Sequence, residues 1–78
     1  MKKDIKTIKD IGSIVRSKRK EIGLTQKQVS DMCNVGVRFL SELENGKMTL
    51  EIGKVLTILN ALGLEVKIEA RGFESCKR

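Results

Sequence analysis

Seventy-eight residues, 40% of them apolar, make one domain near the lower size limit for a self-sufficient core, and the chain carries a formal net charge of +6. With no histidine, tryptophan or tyrosine and only two phenylalanines, it offers little for acid–base catalysis, metal ligation or stacking on single-stranded nucleic acid, so neither enzyme nor cofactor is expected. No apolar run approaches the ~20 residues of a membrane span and nothing resembles a signal peptide. Cys33 and Cys76 read as reduced thiols in preference to a single disulfide, and a cytoplasmic protein with no membrane partner is expected.

The charge is uneven. Residues 1–20 contain eight Lys/Arg (Lys2, Lys3, Lys6, Lys9, Arg16, Lys18, Arg19, Lys20) against Asp4 and Asp10, whereas residues 21–78 balance eight of each sign. A clustered positive excess points to a polyanion partner, although a solvated helix face plus a basic tail would have the same composition.

In chain order, Thr7 followed by Asp10 predicts a helix start with a side-chain cap and an acid in the first turn. Ile8, Ile11, Val15 and Ile22 recur at helical spacing, Ile14 widens the stripe, and Gly23 ends the helix. Thr25 and Gln28 fit a capping box, in which each side chain satisfies a backbone N–H of the other residue. The second helix presents Val29, Met32 and Cys33. Asn34 stands where a tight turn needs a left-handed residue, and Gly36 can cap a third helix that runs to Asn45 with Gly46 behind it. Residues 47–49 read as a loop, with Thr49 capping a fourth helix. Its apolar stripe is Ile52, Val55, Leu56, Leu59 and Leu62, stopped by Gly63.

The period then shortens. Leu64, Val66, Ile68 and Ala70 alternate with Glu65, Lys67, Glu69 and Arg71, which signals a strand. A lone strand cannot satisfy its ladder bonds, so pairing with the same strand of a second copy across a two-fold axis is expected; an extended segment lying on the helices, or a fifth helical turn, is the alternative. The organisation expected is a basic arm at residues 1–6, a helical domain at 7–63, a dimerisation strand at 64–71 and a tail at 72–78.

Residues 12–63 resemble the Cro/Xre-type helix-turn-helix family. The resemblance rests on "LTQ", the small Cys33, the turn Asn34-Val35 and "LENGK" (residues 43–47). Asn34 stands where that family usually has Gly, and Gly36 replaces the usual Ser/Thr cap at a cost of a few tenths of a kcal/mol. The implied fold is mostly α: a four-to-five-helix, lambda-repressor-like helix-turn-helix domain with one C-terminal β-strand pairing across a dimer.

The resemblance also implies a function, sequence-specific binding of double-stranded DNA with the third helix in the major groove. Leu40 and Leu43 face the core, so Val37, Arg38, Ser41 and Glu42 face outward. Arg38 suits guanine and Val37 a thymine methyl; Glu42 either accepts from cytosine N4 or is a solvated helix residue. Phe39 either packs inward or lies against the DNA backbone. The expected phosphate contacts are Arg16, Thr25, Gln26, Lys27, Gly36, Asn45 and Lys47, with Lys18 contributing at longer range.

A short domain of this kind followed by an alternating strand is also similar to HipB-like antitoxins, small dimeric repressors that bind a HipA-like kinase toxin and an inverted-repeat operator. A stand-alone repressor and a protein-interaction adaptor are the competing expectations. One residue looks misplaced. Glu44 falls in the last turn of the third helix, where the dipole disfavours carboxylates. The resemblance pairs it with Arg19 as a structural ion pair, and assigns Leu64, Val66 and Ile68 to the dimer strand.

Overall fold

The capping residues set where each helix begins and ends. The computed structural model describes residues 4–70 and 72, which hold four helices: α1 (Ile8–Ile22), α2 (Gln26–Cys33), α3 (Val37–Glu44) and α4 (Ile52–Ala61). At the start of α1, Thr7 Oγ1 accepts from the Asp10 N–H at 3.3 Å while the Asp10 carboxylate accepts from the Thr7 N–H at 3.1 Å. The same reciprocal box opens α2, with Gln28 N–H donating to Thr25 Oγ1 at 3.0 Å and Thr25 N–H to Gln28 Oε1 at 2.8 Å. Each box satisfies N–H groups that the helix itself leaves unpaired.

Asn34 ends α2 in the left-handed region at φ 56°, and the Val35 N–H returns to the Ser30 carbonyl at 3.0 Å. That closes a three-residue link to α3, whose cap Gly36 supplies no side-chain hydrogen bond. At the far end of α3, Gly46 takes φ 82° and lets the Lys47 N–H bond the Glu42 carbonyl at 3.0 Å.

The helices enclose one core of Val15, Val29, Cys33, Leu40, Leu43, Val55, Ile58, Leu59 and Leu62. α1 packs on α3, and α2 packs on both α3 and α4. Gly12 makes the first of these contacts possible. A Cβ built on it would collide with the Leu43 carbonyl oxygen, so the two backbones approach as only glycine permits.

Three sequence expectations need correction. Thr49 does not cap α4: the cap position is Glu51, without a side-chain bond, and the helix starts at Ile52. The buried stripe of α4 is Val55, Ile58, Leu59 and Leu62, which adds Ile58 and leaves Ile52 and Leu56 exposed at 62% and 39%. Leu56 lies about 100° round the helix from Val55 and so off that stripe, while Ile52 is in the first turn, which projects past the packed core. Met32 and Ile22 are likewise exposed, so the buried faces of α2 and α1 are narrower than their apolar content suggests.

Residues 64–70 follow α4 without helix or ladder in the single chain. Leu64 packs against the core while Val66 and Ile68 stand out into solvent. Arg71, Cys76 and the rest of the proposed tail apart from Gly72 lie outside the described residues. Among the described residues, no helix is long and apolar enough to cross a membrane.

Candidate nucleic-acid interface

α3 is eight residues long and buries only one side. Leu40 and Leu43 are fully buried, and the opposite side carries Val37, Arg38, Ser41 and Glu42. Val37 is exposed, the Arg38 side chain is 90% exposed, and Ser41 and Glu42 are half-buried. Phe39 turns inward, against the core, and Lys54 lies 5.6 Å from its ring centroid. A cation over an aromatic face is favourable, and here it links a side chain of α4 to one of α3.

The outer face is wired together. Glu42 Oε2 accepts from Arg38 Nε and from Lys47 Nζ, both at 3.3 Å. Asn45 Nδ2 folds back onto the Ser41 carbonyl at 2.9 Å. Gly36 leaves the N-terminal N–H groups of α3 without a side-chain cap, so this end combines a positive dipole with exposed donors.

Behind α3, the misplaced carboxylate has found three donors. Arg19 Nε donates to Glu44 Oε2 at 2.7 Å, Arg19 Nη2 to Glu44 Oε1 at 3.0 Å, and Gln26 Nε2 to Glu44 Oε1 at 3.1 Å. Arg19 Nη1 donates to the Leu24 carbonyl at 2.8 Å. The two charged side chains are only 10% and 3% exposed. Burial pushes the Glu44 carboxyl up, but the hydrogen bonds from Arg19 and Gln26 and the charges of Arg19 and Arg16 outweigh it, and the group is held below the usual carboxylate range. The Glu44 hydrogen bond raises Arg19 in turn, against its own burial. The fork geometry fixes α1, the start of α2 and the end of α3 to one another.

The structure thus brings some expected site residues together and sets others apart. Gln26, at the start of α2, reaches Glu44 at the end of α3, beside Asn45 in sequence. Lys47 reaches Glu42 on the outer face of α3, and Thr25 lies at the α2 cap. Lys27 is paired with Asp31 at 2.9 Å on an exposed surface, a contact worth little against a phosphate. Arg16 is exposed, close enough to act on Glu44 through its charge. Arg19 is a structural residue, so the first helix offers fewer cations to a polyanion than its composition suggests. Sequence reasoning misses Gln26 as a partner of Glu44, and Glu42 as a bridge between two cations. The Arg38–Glu42 spacing of four residues is the available signal for the second.

The comparisons with known proteins agree with this geometry. A helix-turn-helix family model matches residues 15–68. The uncharacterized HTH-type transcriptional regulator y4mF of Sinorhizobium fredii is 49% identical over 72 residues, covering 92% of this chain and 95% of that protein. The chain belongs to the helix-turn-helix family of transcriptional regulators. Among solved structures, a HipB–O4 20mer complex superposes with a TM-score of 0.80 at 17% identity, over 91% of this chain and all of that one. A HipA–HipB–O2–O3 complex gives 0.81 at 17%, over 91% of this chain and all of that one. At such identity the likeness is one of fold.

Proposed function

We propose that this protein is a sequence-specific repressor that binds double-stranded DNA as a homodimer, placing α3 in the major groove. The observation that carries the reading is the outward face of α3. Arg38 projects almost fully into solvent from the N-terminal half of a helix whose other side is locked into the core. Arg38 reads guanine, Val37 contacts a thymine methyl, and Ser41 serves either base edge. Gln26, Thr25, the uncapped N–H groups after Gly36, Asn45 and Lys47 bind phosphate, with Arg16 and Lys27 adding longer-range attraction. Residues 64–71 pair with their copy in a second protomer through a strand whose apolar face is Leu64, Val66 and Ile68, so the DNA site is an inverted repeat. The protein works in the cytoplasm, on the nucleoid.

Arg38→Ala tests the reading. For a base-reading arginine it lowers operator affinity by ~1–3 kcal/mol and relaxes preference at one base pair. It leaves the fold intact, since the side chain is 90% exposed. Unchanged affinity would remove Arg38 from the site.

The narrower assignment is the antitoxin and autoregulator of a HipBA-like operon, supported by the fold likeness to HipB and by the lone alternating segment after α4. Purification from the native host followed by intact-mass measurement decides it. A stoichiometric kinase-sized partner favours the antitoxin; a homodimer alone favours a stand-alone repressor.

A further inference from the structure

Glu42 is an anomaly on a surface meant for a polyanion. Its carboxylate lies in the middle of the α3 outer face, 27% exposed, beneath an Arg38 side chain that is 90% exposed. Arg38 therefore meets an approaching duplex before Glu42 does. A single oxygen, Oε2, accepts from both Arg38 Nε and Lys47 Nζ. Among the described residues both Arg38 terminal amines are left without a protein acceptor, and these two amines form the fork that fits guanine O6 and N7.

We propose that Glu42 is a specificity-determining positioning residue, which holds Arg38 by its Nε edge for guanine and opposes phosphate at the same place. The inference rests on the reading of α3 as a DNA-binding helix. Non-specific binding consists of cations meeting phosphates. Left alone, Arg38 would contact any duplex through its backbone. The carboxylate at its Nε edge repels a phosphate that comes within reach of it. It tolerates a guanine edge, which bears no net charge and uses only the fork. Glu42 thus lowers affinity for all DNA and lowers it least where a guanine waits for Arg38.

The test compares wild type, Glu42→Gln and Glu42→Asp on two probes at one salt concentration. One probe is a duplex that wild type selects from a randomised pool; the other is the unselected pool. Glu42→Gln is expected to bind the unselected pool about fivefold more tightly, the factor given by one unit charge at contact distance in water. Its affinity for the selected duplex changes less than that, and the specificity ratio falls. Glu42→Asp keeps the charge but shortens the reach, so it retains weak non-specific binding while losing discrimination at the Arg38 base pair. Two results overturn the proposal: Glu42→Gln losing affinity only at a single C·G pair with non-specific binding unchanged, which makes Glu42 a base reader, or neither probe responding to either variant. Failure of wild type to select any duplex would instead overturn the DNA-binding reading itself.

Discussion

Glu44 shows how a single residue can run against a local rule and still be required. The C-terminal turn of α3 disfavours a negative charge, yet the carboxylate stays ionised because Arg19 and Gln26 supply three hydrogen bonds in a nearly dry site. A small domain is stable by only a few kcal/mol, so such a cluster matters. Removing one partner of a buried pair strands the other, and Glu44→Gln should lower unfolding stability by about 3 kcal/mol in a urea titration. If stability is unchanged, the ion pair contributes nothing net to the fold. The pair also has a pH signature. Because the folded carboxyl titrates below its unfolded value, its contribution is fully present above the unfolded value of about 4.3 and is lost as pH falls through the folded one. Arg19 titrates far above this range and adds nothing to it. Wild type should therefore lose stability on acidification below about pH 4 more steeply than Glu44→Gln does.

At the scale of elements, the features legible in the sequence are the local ones. The Thr7 cap, the Thr25–Gln28 capping box, the left-handed Asn34 and the stops at Gly23, Gly46 and Gly63 each depend on residues within four positions, and each lies where the pattern put it. The fourth helix was less legible. Ile52, Val55, Leu56, Ile58 and Leu59 spread over an arc of about 160°, wider than the face that is buried, so which part of it faces the core is chosen by α2 and not by the helix's own pattern. Gly12 was invisible for the same reason, since its role exists only where α1 crosses α3. A pair of substitutions separates propensity from packing. Gly12→Ala, which raises helix propensity, should nevertheless destabilise by about 1–3 kcal/mol because α1 and α3 must separate. Gly53→Ala in α4 meets open space and should stabilise by up to about 1 kcal/mol. Thermal melting of both checks the contrast; a Gly12→Ala variant that melts higher than wild type would mean that α1 and α3 do not touch there.

For the whole molecule, the helix-turn-helix fold was legible because its signature residues are also its structural joints. The candidate site was legible in part. The outward face of α3 followed from the inward positions of Leu40 and Leu43, and the Arg19–Glu44 pair from the family resemblance, whereas the Gln26–Glu44 and Lys47–Glu42 bonds depend on side chains that meet only in three dimensions. Residues 64–70 show the limit of a single chain. Their alternation specifies two faces but no partner, and Val66 and Ile68 are exposed in the single chain; the proposed second copy would supply the missing ladder partner. A two-fold dimer would set two α3 helices about one turn of DNA apart.

The most direct measurement is selection by the wild-type protein from a pool of randomised duplexes, followed by titration of the recovered sequence across a salt series. The account predicts enrichment of an inverted repeat with half-sites about 10 base pairs apart, and affinity that falls as salt rises, by nearly one log–log unit for each phosphate contacted. No enrichment over the input pool, or binding indifferent to salt, would contradict it.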